Sequence, residues 1–164
     1  MIWSWKVGKL FGIPVYLHTT FLLLMGFILL ARWREGGNLM AAIGGVLFIL
    51  AIFATVVLHE LGHALTARRF GIRTKDITLL PIGGIARLER MPDVPRHELW
   101  VALAGPAVNF AIAGVVFSIS TLVGTSPVLG LPTASLGTVD RFIAINVWLA
   151  VFNLIPAFPM DGGR

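Results

Sequence analysis

The sequence predicts an all-α polytopic membrane protein with about four transmembrane helices and one small β hairpin. Its 164 residues are 57% hydrophobic and only 13% charged, whereas a soluble domain carries about 25% charged residues. A helix needs about 20 apolar residues to cross the hydrocarbon core of a bilayer. Four segments are long enough, namely 15–31, 39–67, 98–123 and 137–157. We therefore expect one membrane-embedded domain over residues 1–164.

The first apolar segment, 15–31, shares one feature with a secretory signal, because Lys6 and Lys9 precede it. A secretory signal has a short apolar run that ends at a small-residue cleavage site. Here the run is long, and Arg32 and Arg34 follow it directly. We therefore interpret this segment as the first membrane span.

The basic residues predict the orientation of the spans. The net charge is +5, and seven of the thirteen Lys and Arg residues lie between the second and third segments: Arg68, Arg69, Arg73, Lys75, Arg87, Arg90 and Arg96. The positive-inside rule puts this connection and both termini in the cytoplasm, and the cation-free connection 124–136 outside. Arg32, Arg34 and Arg141 oppose this orientation. Because the cations are spread over short connections, no nucleic-acid partner is expected.

The connection between the second and third segments contains short apolar runs on both sides of a Pro/Gly turn. This pattern, in residues 76–89, predicts a β hairpin. Gly83 and Gly84 would let its backbone approach another chain closely, so the hairpin could contact an extended substrate strand. The alternative is a connector that only covers the helix ends.

The motif His59-Glu60-Leu61-Gly62-His63 lies near the end of the second apolar segment. On a helix the two histidines are about 40° apart, and Glu60 shares their face. Two such histidines can hold a zinc ion, and the glutamate can activate a water bound to it. Ionisable groups are costly in a membrane span, which favours a function over a chance pattern of hydrogen-bonded side chains. The chain has no cysteine, so any metal must bind His and carboxylate ligands.

A catalytic zinc needs a third protein ligand. Asp161 is the best candidate, because two prolines and two glycines interrupt the apolar run around it, and broken backbone at membrane depth is tolerated where it lines a site. The alternative is a solvated Asp161 that caps a turn. His18 and His97 are better explained as hydrogen-bonded or interfacial side chains.

HELGH together with the distal N-L-I-P-A-F-P-M-D-G-G-R resembles the site-2 protease family of intramembrane zinc metalloproteases. The segments Leu80–Gly84 and Gly105–Asn109 also resemble motifs of that family, so the likeness extends over nearly the whole chain. The resemblance implies that His59, His63 and Asp161 bind one zinc ion and that Glu60 is the general base and acid. It also implies that Asn153 and Asn109 border the active site. From the residues alone, Asn109 could equally join helices by hydrogen bonding, and Gly105-Pro106 is interpreted as a packing or bending element.

The connection 124–136 is too short for an inserted PDZ domain, so the sequence resembles the compact branch of the family. Members of that branch often continue into further spans and a regulatory domain. Arg164 closely follows Asp161, and we therefore expect a C-terminally truncated fragment. The expected location is a prokaryotic cytoplasmic membrane, with the active site near its cytoplasmic face.

The function implied by the resemblance is hydrolysis of peptide bonds in transmembrane or membrane-associated substrates. Two alternatives remain open at this point. The first is a membrane protein that binds or transports metal through the same His and Asp residues. The second is a noncatalytic family member that binds membrane helices. The expected partners are a membrane-protein substrate and the lipid bilayer, and the sequence does not specify the oligomeric state.

Overall fold

A computed structural model of the chain describes residues 3–36, 38–90, 94–125, 127–128, 130–131 and 136–155. Two strands come first, followed by two helices, two more strands and two more helices. The elements are β1 (Ser4–Leu10), β2 (Ile13–His18), α1 (Thr19–Gly36), α2 (Leu39–Arg69), β3 (Thr74–Leu80), β4 (Gly83–Leu88), α3 (Pro95–Leu122) and α4 (Thr138–Leu154). The protein is therefore mostly helical with one small sheet.

The four strands form one sheet in the order β1-β2-β3-β4. The hairpin predicted in residues 76–89 is confirmed, because β3 and β4 pair antiparallel. The prediction of a hairpin alone was incomplete, since β2 pairs antiparallel with β1 and parallel with β3. The predicted start of the first span at residue 15 was also wrong, because residues 15–18 belong to β2. Their apolar residues alternate as in a strand, with Ile13 and Val15 buried.

Two of the helices, α2 with 31 residues and α3 with 28, are long and apolar enough to cross a membrane. α1 is 18 residues long and carries three charged residues in its last turns, Arg32, Arg34 and Glu35. α4 has 17 residues. Within the described residues, length and composition thus support two candidate spans, where the sequence predicted about four.

Local chemistry fixes the ends of α2. Asn38 caps its first turn, because the side-chain oxygen accepts hydrogen bonds from the N–H groups of Met40 at 3.0 Å and Ala41 at 3.3 Å. After Arg69 the chain leaves the helix through Gly71, whose φ of 76° is favourable for glycine. These two signals set the two ends of α2 and hence the position of the HELGH segment along the helix.

The inner face of the sheet packs on the second half of α2. A buried apolar cluster joins the two layers and consists of Ile13, Val57, Leu61, Ala64, Ile77 and Leu79. Leu61 lies inside the HELGH segment. The sheet therefore covers one side of the helical turn that carries His59, Glu60 and His63.

α3 covers another side of the same turn, and a glycine sets how closely it approaches. A Cβ on Gly62 would lie 2.8 Å from the carbonyl oxygen of Ala104 and 2.9 Å from Cγ2 of Val108. Small residues allow such close approach between membrane helices. The α2 backbone at Gly62 consequently lies directly against α3.

Candidate metal centre

His59 and His63 form a buried pair on α2. They are one helical turn apart, and their side chains share one face. His59 is 5% exposed and His63 is 7% exposed. Their Nε2 atoms are 3.1 Å apart. Two nitrogen ligands of a tetrahedral zinc ion, each about 2.0–2.1 Å from it, are separated by roughly 3.3 Å. The two nitrogens are therefore spaced as ligands of one metal ion.

A backbone carbonyl on α3 orients His63. Its Nδ1 lies 2.6 Å from the carbonyl oxygen of Val101, in a buried contact. When Nδ1 carries the proton and donates it to that oxygen, Nε2 keeps a lone pair for a metal. This partner could not be predicted from the sequence, because any residue at position 101 supplies the same carbonyl.

Gly105 on α3 makes room for both imidazoles. A Cβ at this position would lie 2.1 Å from Nε2 of His63 and 2.6 Å from Nε2 of His59. Real Cβ atoms essentially never approach other atoms within 3.0 Å. The sequence predicted a packing or bending element at Gly105-Pro106. The structure shows more specifically that the lack of a side chain at Gly105 avoids a collision with the two imidazoles. Without a side chain at this position, the α3 backbone can lie against the two atoms that would bind a metal.

Glu60 lies between α2 and the hairpin. Its Oε2 accepts a hydrogen bond of 3.1 Å from the backbone N–H of Ala86 in β4. Gly84, two residues earlier in the strand, is also close, since a Cβ there would lie 2.8 Å from Cγ of Glu60. The hairpin backbone thus lies close to α2 at Gly84, against the glutamate of HELGH, while its predicted approach to another chain stays a prediction. Gly83 has a φ of 141°, which is unfavourable for other residues.

Of the other predicted site residues, Asn109 and Asn153 lie in the described part of the chain. Asn109 is 1% exposed, and its Oδ1 has no hydrogen-bond partner in the described part of the chain. Asn153 lies near the end of α4 and is partly buried. Asp161 falls outside the described residues. Within those residues, no group of three or more His, Cys, Asp or Glu side chains is arranged to hold a metal.

Sequence reasoning did not single out Asn146. It is fully buried in α4, and its Nδ2 donates to the carbonyl oxygen of Phe142 at 2.9 Å. Its Oδ1 has no partner among the described residues. An amide inside an apolar helix was the available signal, and it resembles the signal that identified Asn109.

The two remaining histidines each contact another side chain, in agreement with the interpretation from sequence. Nδ1 of His18 is 2.7 Å from the hydroxyl oxygen of Thr20. The ring of His97 stacks on Phe70 with a centroid distance of 4.0 Å. The buried pair of α2 is accordingly the histidine arrangement suited to metal binding.

The chain is similar to several known proteins. The profile of peptidase family M50 matches residues 47–143. A zinc metalloprotease of Methanocaldococcus jannaschii is 41% identical over 167 residues, which cover 100% of this chain and 44% of that protein. A Synechocystis sp. protein, named provisionally as a zinc metalloprotease, is 40% identical over 165 residues, covering 97% of this chain and 42% of that protein. The chain thus spans less than half the length of these two relatives.

A solved structure is also similar. The site-2 protease from Methanocaldococcus jannaschii matches with a TM-score of 0.71 and 34% sequence identity, over 99% of this chain and 69% of that one. The profile match covers more than half of the chain and includes the buried histidine pair. The chain belongs to peptidase family M50, the site-2 protease family, in agreement with the resemblance found in its sequence.

Proposed function

We propose that this protein is an intramembrane zinc metalloprotease that hydrolyses peptide bonds of transmembrane or membrane-associated substrates. The observation that carries the proposal is the buried histidine pair, whose Nε2 atoms lie 3.1 Å apart on a helix apolar enough to span a membrane. The relatives named as zinc metalloproteases support the same reaction. Its substrates would be membrane proteins, and we propose no nucleic-acid partner.

The residues present fit a zinc ion. Gly105 leaves the space a side chain would fill, and the Val101 carbonyl sets the tautomer of His63. We propose His59, His63 and Asp161 as the three protein ligands of a single ion. When bound, zinc lowers the pKa of a coordinated water and polarises a carbonyl.

Glu60 is the proposed general base and acid. It follows His59 directly, and its carboxylate lies where α2 meets β4. From there it would take a proton from the attacking water and later pass it to the leaving amine. Asn109 and Asn153 are proposed to border the active site. For Asn109, the buried Oδ1 without a partner in the described residues favours this role over helix joining.

The proposed topology has four spans, with the active site near the cytoplasmic face. All four strands belong to one sheet, so the start of α1, the end of α2 and the start of α3 lie at the same end of the protein. That end carries Lys6, Lys9 and the seven cations of residues 68–96, as the positive-inside rule requires of a cytoplasmic face. Large apolar side chains on α1 are exposed, including Leu23 at 67% and Phe27 at 69%, and lipid would cover them.

A transmembrane substrate must unwind before its peptide bonds can react, because its helix hydrogen bonds hold them. The hairpin that carries Gly83 and Gly84 lies against Glu60. We propose that it receives the unwound segment as an added strand. This places an extended backbone beside the base without requiring a particular substrate sequence.

The test is cleavage of a single-span reporter protein in proteoliposomes by the wild type and by Glu60→Gln. The substitution keeps the size of the side chain but removes the base, so cleavage should fall by at least about a hundredfold while bound zinc stays near one ion per chain. Gly114→Ala is a matched control, since a Cβ at Gly114 would meet nothing within 4 Å.

Three results would reject this proposal. If Glu60→Gln cleaved at the wild-type rate, the assigned base would be wrong. If neither protein cleaved the reporter but both bound it, the noncatalytic alternative would be supported. If both carried zinc into the liposomes without cleaving the reporter, the metal-transport alternative would be supported.

A further inference from the structure

On the outer edge of β4, one backbone N–H group already donates a hydrogen bond to a side chain. β3 pairs with one side of β4, and within the described residues no strand pairs with the other side. The N–H of Ala86 donates to Oε2 of Glu60 at 3.1 Å. A charged acceptor makes this one of the stronger kinds of hydrogen bond. The contact links the edge of the sheet directly to the proposed base.

Gly84 makes the contact possible. Side chains two residues apart in a strand lie on the same face, so a side chain at position 84 would project towards α2 beside that of Ala86. There a Cβ would lie 2.8 Å from Cγ of Glu60 and 3.0 Å from Cγ1 of Val56. With glycine at this position, β4 lies close enough to α2 for the Glu60 carboxylate to reach the Ala86 N–H.

An added strand would need the same donor. Strand pairing uses the backbone N–H and C=O groups that point outward from an edge, and these recur at every second residue. Ala86 lies within β4, two residues after Gly84. A peptide that pairs with this stretch of the edge would direct one of its carbonyl oxygens at the Ala86 N–H. That single proton cannot serve both acceptors at full strength.

We propose that the backbone N–H of Ala86 is a shared donor, which holds the Glu60 carboxylate in the substrate-free protein and pairs with a substrate carbonyl when an extended peptide is bound. The inference rests on the proposed function, because it takes Glu60 as the base. Substrate pairing then releases Glu60 from the sheet edge. The recognised group is a backbone carbonyl of an unwound segment, whatever its side chains.

Amide-resolved hydrogen exchange of the full chain in lipid nanodiscs tests the proposal without measuring cleavage. Glu60→Ala removes the acceptor, so exchange at Ala86 should accelerate about tenfold or more, as expected for loss of a hydrogen bond to a charged group. Glu60→Gln keeps an acceptor oxygen and should change exchange at Ala86 much less. Amides of β3, such as that of Ile77, serve as the internal control.

The second arm adds a synthetic single-span peptide to the Glu60→Ala protein. Protection of the Ala86 amide should return, because the substrate carbonyl replaces the carboxylate. Unchanged exchange at Ala86 in Glu60→Ala would refute the contact with Glu60, and failure of the peptide to restore protection would refute the shared use. Cleavage that persists in Glu60→Gln would instead overturn the proposed function, so the two failures are distinct. A thermal melt of Glu60→Ala checks its folding, and if it does not fold, Gly84→Ala tests the contact by displacing Glu60.

Discussion

Substituting Gly105 with alanine should remove zinc binding while leaving most of the fold intact. The added Cβ would lie 2.1 Å from Nε2 of His63 and 2.6 Å from Nε2 of His59. Ordinary van der Waals contact begins at about 3.4 Å, so the methyl group and the His63 ring must separate by about 1.3 Å. Metal–ligand distances tolerate only about 0.2 Å. The required displacement is therefore several times larger than the site can absorb.

The energy of this change can be divided between folding and metal binding. Overpacking costs about 1–3 kcal/mol, and the better helix propensity of alanine returns about 1 kcal/mol. The net loss of stability should be modest for a chain whose α2 and α3 pack along much of their length. Mutations that act only on the surroundings of metal ligands weaken binding about 10–100-fold. Displacing the ligand nitrogens directly should weaken it by at least the upper figure.

Competition with a chromophoric chelator measures zinc affinity, and elemental analysis of the purified protein measures zinc content. We expect about one zinc per chain in the wild type and in Gly114→Ala, but less than about a tenth of that in Gly105→Ala. A thermal melt by circular dichroism shows whether the variant is folded. Zinc affinity of Gly105→Ala within a few-fold of Gly114→Ala would refute the steric argument, because the histidine pair would then not depend on this clearance.

Three further predictions concern the surroundings of the site. Gly62→Ala places a Cβ 2.8 Å from the Ala104 carbonyl oxygen and should cost about 1–3 kcal/mol in unfolding free energy; an unchanged thermal midpoint would contradict the close helix contact. Arg87→Met should lower the midpoint by leaving buried Asp76 without its ion pair, and adding Asp76→Asn should restore part of the loss in a double-mutant cycle. The hydrogen bond to Asp76 raises the pKa of Arg87. The contribution of the charged Arg87 to stability is therefore complete below the ordinary arginine pKa and is lost only above the raised one. This contribution should not vary between about pH 6 and pH 9. Asn109→Leu should leave the midpoint unchanged or raised, because Oδ1 has no partner in the described residues, while cleavage falls; a large loss of stability would instead indicate helix joining.

The long helices were predictable because their signals are local. The predicted segment 39–67 differs from α2 by two residues at its end, since a long apolar run and the Asn38 cap lie together in the sequence. β2 was missed because Ile13, Val15 and Leu17 are as apolar as the helix that follows them. A short apolar run does not distinguish a strand from the start of a span. Here the difference comes from pairing with β3, about 60 residues later in the chain.

The side chains of the site could be predicted from the sequence, whereas the backbone groups of the site could not. HELGH identified the histidine pair and Glu60 by residue type and spacing. The carbonyl of Val101 and the N–H of Ala86 have no residue signature, because every residue except proline offers both groups. Gly105 was visible as a glycine before a proline in a helix, but only the approach of α3 to α2 shows which atoms the missing side chain would strike.

Gly105 and Gly84 lie on opposite sides of the HELGH turn, and each lets a neighbouring backbone approach it closely. Gly105 brings the α3 backbone against the Nε2 atoms of the histidine pair, and Gly84 brings the β4 backbone against Glu60. Backbone offers fixed hydrogen-bonding groups without the bulk of a side chain. It thereby orients His63 and holds Glu60. A larger residue at position 105 should therefore affect zinc first, whereas a larger residue at position 84 should affect the position of Glu60 and leave zinc bound.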